Sequence, residues 1–510
     1  MKIILSLLSL SMLLCGSLYS KVSLAEQSSL PALKEWHVGK AELQLSQQSR
    51  IVITSKDRSS LLATANLLQQ DLKFISGLDL NIAIKNNADK GDILLQLSDK
   101  TKAKTHNDEA YTLNIDKKIV ITSSAANGIF YGTQSVLQML KSSRNKQTLQ
   151  TGKGIDAPDY KVRAVMIDLG RRYFEMEYLE FVLRNMAWYK LNTLHLHFTD
   201  WLGFRLQSDV YPGLASQQSY SKQDIRHLQD VAKKYHITIV PEIDVPAHAT
   251  FMTDFKPDLA FNCKSMRFAK KWQGDEANKQ NKAWTIDVTK QKNRDWINAL
   301  LNEFVPLFDG PYFHIGGDEY QYDPEKYQCP ELMAAMLEKG YGKPGDIFIE
   351  WLNEVNELVK SHGKQTKIWN WWRFGDNKTT LQPAKDIVVD VWNLPRQEQI
   401  IKDGYQVVLT PESQLYVSPG LESDDGYGVV DIKKIYESWQ TVKHKNVLGY
   451  KVSIWSDGAL EHSDQWFEGK SVEAKAVLAE KIWGSKGSDS VDGLLKRLSA
   501  IGNAPFHGKH

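Results

Sequence analysis

The 510-residue chain predicts an α/β fold, a (β/α)8 TIM barrel over residues 155–505 preceded by a small α+β domain over 26–150. Three observations carry that expectation. Beyond residue 155, apolar strand-like runs alternate with helical ones eight times, the signature of successive βα units. Polar and aromatic residues gather just past the C-terminal ends of those runs, where a barrel builds its active-site loops. Between 42 and 141 strand and helix patterns mix without that alternation, as expected of a separate unit of roughly 100 residues with its own core.

Each element follows from its residues. Met1-Lys2 and the apolar stretch through Leu14-Cys15 read as the first two regions of a signal peptide over 1–25, with Ser23-Leu24-Ala25 supplying small residues for cleavage. Ser6, Ser9, Ser11 and Gly16 interrupt the stretch, and neither it nor any later segment offers the ~18–20 apolar residues of a membrane span. The protein is therefore expected to be exported, periplasmic or secreted. A lipoprotein anchored at Cys15 is the alternative, opposed by the bulky Leu14 before it.

In the first domain, Ile51–Thr54, Leu80–Ile84 and Ile93–Leu97 read as strands and 61–74 and 125–140 as helices. Tyr111–Ile115 and Ile119–Thr122 alternate around Asp116-Lys117-Lys118 as a hairpin does. Gly152-Lys153-Gly154 with Pro158 reads as a linker. The barrel strands are expected at Val162–Leu169, Thr193–Thr199, Ile237–Ile243, Tyr312–Gly316, Lys367–Trp371, Ile387–Trp392, Gln406–Thr410 and Leu448–Trp455. Between the first two, Leu179, Val182, Leu183 and Met186 recur at the spacing of one buried helix face. An open doubly wound sheet is the structural runner-up.

A charged fraction of 24% and a hydrophobic fraction of 42% place the chain among ordinary packed proteins rather than disordered ones. A net charge of +2 gives no polyanion-binding field, so no nucleic-acid partner is expected. Fifteen Trp offer flat apolar faces that suit sugar rings, although core packing accounts for many such residues. Cys263 and Cys329 would remain in a disulfide-permissive compartment. Spacing alone does not show whether they approach within bridging distance, and two free buried thiols are the expectation.

Arg171, Asp200, Glu242, Asp244, Asp318, Glu319, Trp369, Trp392, Tyr416, Trp455 and Asp457 all fall at or just past the ends of different strands. A charge there is ordinarily a helix cap and a Trp ordinarily core, so the argument rests on their coincidence across the strands. The sharpest run is Phe313-His314-Ile315-Gly316-Gly317-Asp318-Glu319, where two glycines let the backbone bend into adjacent carboxylic acids. This run resembles the His-x-Gly-Gly-Asp-Glu motif of glycoside hydrolase family 20, the β-N-acetylhexosaminidases. Asp168-Leu169-Gly170-Arg171, His195 through Asp200 with Gly203-Phe204-Arg205, and Pro241 through His248 are similar to the family's other strand motifs. Residues 42–141 are similar to its accessory domain.

The resemblance implies hydrolysis of N-acetylhexosamine-containing glycans without metal or other cofactor. Ordinary glycosidases set two carboxyl groups about 5 Å or more apart across the scissile bond, a placement that two adjacent residues do not readily achieve. In family 20 the substrate's own 2-acetamido oxygen is the nucleophile. The resemblance then implies Glu319 as acid and base, Asp318 as acceptor of the acetamido N–H, and Tyr416 as donor to its oxygen. It further implies an Asp200–His248 relay to Glu319. Trp369, Trp392 and Trp455 would wall the acetyl pocket and sugar face, with Arg171 and Asp457 on sugar hydroxyls. His195, His197, Asp200 and Glu242 would otherwise invite a metal-site reading, but His-x-His belongs to a motif the family uses without one.

Three departures stand out. Trp201 and Leu202 replace an Asp and a Gln common in the family, Tyr416-Val417-Ser418 replaces Tyr-x-Asp, and Asp457 is a methylene shorter than the usual Glu. Tyr416 through Pro419 and Ser453-Ile454-Trp455 look more like the dispersin-type branch, which cleaves β-1,6-linked poly-N-acetylglucosamine. Under that alternative, Glu422, Asp424 and Asp425 would attract partly deacetylated polymer. A non-catalytic glycan-binding protein is the third reading, and retention of Asp318, Glu319 and Tyr416 argues against it.

Overall fold

The structure, a computed structural model, describes residues 28–98, 107–263, 266, 283–320, 329–373, 379–422, 427–485, 487–488 and 490–506. The expected leader and the acids Asp424 and Asp425 lie outside the described residues.

The N-terminal unit is one seven-stranded mixed sheet. Its strands are β1 (Glu35–Gln44), β2 (Arg50–Ile53), β3 (Asn81–Ile84), β4 (Ile93–Leu97), β5 (Tyr111–Ile115), β6 (Ile119–Ser123) and β7 (Thr148–Asp156), in spatial order β1-β7-β5-β6-β4-β2-β3. Helices α1 (Arg58–Ser76) and α2 (Ala126–Ser142) pack together and against this sheet. Residues 152–154, expected as linker, lie inside β7 and pair with both β1 and β5. A Cβ on Gly154 would stand 1.9 Å from the Glu35 carbonyl oxygen. These glycines thus permit close strand approach rather than a flexible break.

The second unit is a closed parallel barrel. Strands β8 (Val162–Asp168), β9 (Thr193–His197), β10 (Thr238–Val245), β11 (Tyr312–Gly316), β12 (Gln365–Trp369), β13 (Val388–Val391), β14 (Gln406–Leu409) and β15 (Val447–Ile454) run side by side. Each pairs with the next, and β15 returns to β8 to close the ring. All eight expected strands are present, and closure excludes the open sheet. Strands buried on both faces read as apolar runs, and every residue of β8 is buried. On α3 (Met176–Trp188), Leu179, Val182, Leu183 and Met186 are all buried. Register aligns Asp168 with His197, His197 with Glu242, and Glu242 with His314, which sets a polar layer across neighbouring strands.

The two units meet near the N-terminal ends of the barrel strands. Buried Lys190 bonds Asp156 and the Tyr111 hydroxyl, each at 2.9 Å, and Trp483 Nε1 donates to Asp156 at 2.8 Å. Arg163 donates to both oxygens of Glu109 at 2.7 and 2.8 Å. This charged junction therefore lies at the end of the barrel opposite its C-terminal loops.

Cys263 and Cys329 form a disulfide, correcting the expectation of free thiols. The two segments lie 66 residues apart in sequence and meet only because the loops after β10 and β11 stand side by side.

Barrel closure leaves no room at Gly449, where a Cβ would stand 1.7 Å from the Val162 carbonyl oxygen. Gly449→Ala is expected to cost about 1–3 kcal/mol through overpacking of β15 against β8. Urea unfolding followed by circular dichroism checks this as a lowered midpoint.

Candidate active site

The carboxylates of the site sit on a backbone that few residues tolerate. Gly316 and Gly317 have φ of 68° and 81°, followed by Glu319 at 45°. A Cβ on Gly316 would fall 1.7 Å from Asp244 Oδ1, so this position must be glycine for the two carboxyl-bearing loops to touch. His248, in the loop after β10, also has a positive φ of 53°. Non-glycine residues held there concentrate at functional sites.

The structure brings Asp200, His248 and Glu319 close together. His248 Nδ1 lies 3.2 Å from Asp200 Oδ1, while its Nε2 stands 3.5 Å from Glu319 Oε2 and 3.7 Å from Asp318 Oδ2. Asp200 also receives His197 Nε2 at 2.8 Å and Arg171 Nη1 at 3.0 Å. Burial alone would raise the Asp200 carboxyl, but Arg171, His248 and His197 outweigh it and hold the group well below its ordinary range. Burial would lower His197, yet Glu242 and Asp200 on its two nitrogens raise it to about 10. His197 is therefore an imidazolium donating in both directions.

A second carboxyl pair faces this array. Burial, and then the negative charge of Asp318 beside it, push Asp244 far above the usual carboxylic range. Asp318 rises to about 6, through burial opposed by His248 and reinforced by Glu319. Asp244 is the protonated member, which leaves Asp318 as the acceptor near neutral pH.

Aromatic rings enclose the carboxylates. Trp455 lies 6.0 Å from Trp369, 5.7 Å from Tyr416 and 5.3 Å from His197, centroid to centroid. The Arg171 guanidinium stands 5.2 Å from the Trp455 ring. Burial, with Tyr427 and Glu412 nearby, raises Tyr416 well above its ordinary value, so its hydroxyl remains a donor. Trp392 stacks on Trp371, with ring planes 11° apart and centroids at 6.3 Å. Burial raises Asp457 against the pull of Arg171, whose charge it feels.

His195, Glu242 and His314 bring three potential ligand atoms within 4.8 Å of one another. Lys451 Nζ occupies His195 Nδ1 at 3.0 Å, and the Gly316 N–H occupies His314 Nδ1 at 3.0 Å, so those lone pairs are spent.

The family model for the catalytic domain of glycosyl hydrolase family 20 matches residues 160–486, and that for the family's domain 2 matches 27–157. The chain belongs to glycosyl hydrolase family 20. It is 25% identical over 478 residues to Lacto-N-biosidase of Bifidobacterium bifidum, covering 91% of this chain and 40% of that protein. It is 25% identical over 430 residues to Beta-hexosaminidase 1 of Coccidioides posadasii, covering 75% and 71%. The fold superimposes with a TM-score of 0.77 on the family 20 exo-β-N-acetylglucosaminidase of Vibrio harveyi solved with N-acetylglucosamine. That match is 22% identical and covers 93% of this chain and 76% of the other.

Within this family 20 site, sequence reasoning passed over several groups. Glu242, Asp244 and His197 belong to strand motifs and, for Glu242 and His197, to a metal-site reading, but the sequence assigns none of them a part in the site. Trp284 gave no signal at all, yet its ring lies 4.4 Å from His248 and its Nε1 donates to the Glu319 carbonyl at 3.1 Å. The alternation of His195 and His197 on one strand face was the one available clue to an inward-facing layer.

Asp318 binds its proton more tightly folded than unfolded, so between about pH 4 and 6 stability falls as pH rises. Asp318→Asn removes that titration. Its stability relative to the parent protein is expected to grow across that window and level off above it, as read by urea unfolding at fixed ionic strength.

Proposed function

We propose that the protein is a retaining β-N-acetylhexosaminidase that releases terminal N-acetylhexosamine from glycans through the substrate's own acetamido group. The observation that carries this reading is the convergence of Asp318, Glu319 and the His248–Asp200 pair, with Glu319 Oε2 3.5 Å from His248 Nε2. A protein that only binds glycans has no use for a buried relay ending on a carboxylic acid.

Glu319 protonates the departing glycosidic oxygen while the acetamido oxygen attacks C1, so the C1–O bond breaks as a ring closes. The positive oxazolinium lies against Asp318, which accepts the acetamido N–H, while the Tyr416 hydroxyl donates to the acetamido oxygen as it bonds to C1. Glu319, now a carboxylate, takes a proton from water as it opens the ring, and C1 regains its configuration. Trp369, Trp392 and Trp455 wall the acetamido pocket and the sugar face, with Arg171 and Asp457 on the sugar hydroxyls. Trp201, Leu202, Ser418 and the shorter Asp457 reshape the surrounding cleft. The Cys263–Cys329 bridge supports export to an oxidising compartment, the periplasm or the exterior.

Hydrolysis of p-nitrophenyl N-acetyl-β-glucosaminide is expected from the purified protein and reduced about 10²–10⁴-fold in Glu319→Gln. Tyr416→Phe is expected to lose about 10²-fold in kcat/KM. No hydrolysis by the parent protein overturns the reading.

A further inference from the structure

Glu242 plays no part in the chemistry just described, yet its two carboxylate oxygens reach side chains on three neighbouring strands. It is fully buried at the register position between His197 on β9 and His314 on β11. Its Oε2 accepts from His197 Nδ1 at 2.6 Å, and His195 Nε2 lies 2.9 Å from the same oxygen. Its Oε1 accepts from the Trp369 indole N–H at 2.7 Å. One carboxylate therefore touches both a wall of the proposed acetamido pocket and the far end of the hydrogen-bond chain running His197–Asp200–His248 toward Glu319.

We infer that Glu242 is a positioning residue that locks the acetamido pocket to the proton relay, holding Trp369 through one oxygen and His197 through the other. The inference rests on the proposed hydrolase reading for what the two halves do. The linkage itself is a matter of geometry.

Proton bookkeeping permits only one arrangement on the His197 side. His197 lies between Glu242 Oε2 and Asp200 Oδ2, at 2.6 and 2.8 Å from oxygens that only accept, so both ring nitrogens carry protons. On the other side, Lys451 donates to His195 Nδ1, and His314 Nδ1 meets the Gly316 N–H at 3.0 Å beside Glu242 Oε1 at 3.1 Å; these two rings are the neutral members of the layer. Burial lowers both His195 and His314, consistent with that assignment.

The charged groups around His197 come from every packed element. Glu242 and Asp244 face it from β10, and Asp200 from the loop after its own strand. Asp168 and Arg171 lie toward β8, with His248 and Asp318 above. Glu242 is the strongest of these in favouring the imidazolium. Without its charge, burial and Arg171 would press His197 toward the neutral form, and Asp200 would lose a charged donor. The Trp369 indole would lose its acceptor at the same time. Lys451 Nζ, 3.9 Å from the Trp369 ring centroid and bonded to Asp390 at 2.6 Å, would still support that ring from below.

The test is Glu242→Gln, which keeps size but not charge, compared with Glu242→Asp, which keeps charge but is too short to reach both partners. Two readouts are taken, the His197 imidazole by 15N NMR titration and the pH profile of kcat/KM on p-nitrophenyl N-acetyl-β-glucosaminide. In the parent protein the imidazole is expected to stay protonated up to about 10. In Glu242→Gln it should titrate about 2 units lower or more, and a new alkaline limb should appear in kcat/KM at the same pH. Glu242→Asp is expected to keep the protonated imidazole but lose about tenfold in kcat/KM through KM, as the Trp369 anchor goes slack. An unshifted His197 titration in folded Glu242→Gln overturns the inference. Should that variant fail to fold, parent-like kcat/KM in Glu242→Asp overturns it instead. The NMR readout needs no turnover, so an inactive parent protein would sink the hydrolase reading while the titration still decides the linkage.

Discussion

The interior of this barrel is built around the cost of burying carboxylates. Asp168, Asp200, Glu242, Asp244 and Asp390 are all essentially inaccessible, and an isolated ionised carboxylate there would be prohibitively expensive. Two solutions coexist. Asp200, Glu242 and Asp390 are matched by Arg171, His197, Lys367 and Lys451 and stay ionised. Among the described residues the nearest basic side chain to Asp244 is His248, its Nε2 4.0 Å away, and Asp244 keeps its proton. The sorting of acids into charged and neutral members gives Asp318 an acceptor's role and His197 a cation's role without any external group.

The loop after β11 depends on the same arrangement. Gly316 passes so close to Asp244 that any side chain would expel it, and the turn then carries Asp318 and Glu319 onto the face of His248. Backbone strain at His248 and Glu319 is sustained because the surroundings fix both ends. Trp284 lies against His248 and donates to the Glu319 carbonyl, and the Cys263–Cys329 bridge ties the two loops together. The accessory sheet contributes at the opposite end, where Lys190, Asp156 and Trp483 join it to the strand starts.

Much of this was legible in the residues. Parallel strands buried on both faces announce themselves as apolar runs, so β8 to β15 could be placed within a few residues. The Gly-Gly-Asp-Glu turn was readable because glycine and adjacent acids leave a local trace. The errors came where spacing says nothing about approach in space. Gly152 and Gly154 read as a linker because glycine marks both flexible breaks and tight strand contacts, and only Trp36 packed on Gly152 and Glu35 on Gly154 decide between the two. Cys263 and Cys329 read as free because nothing in a linear separation of 66 residues shows two loops meeting.

By itself the sequence determined the alternation of strand and helix, the order of the site-bearing strand ends, and the kinds of chemical group available there. Those properties are local, written in hydrophobic period and residue type. Tertiary structure alone decided which acids are charged. Protonation depends on the few ångströms between Glu242, His197 and Asp200 and between Asp244 and Asp318, and those separations are set by barrel register and closure, which bring together residues far apart in the chain.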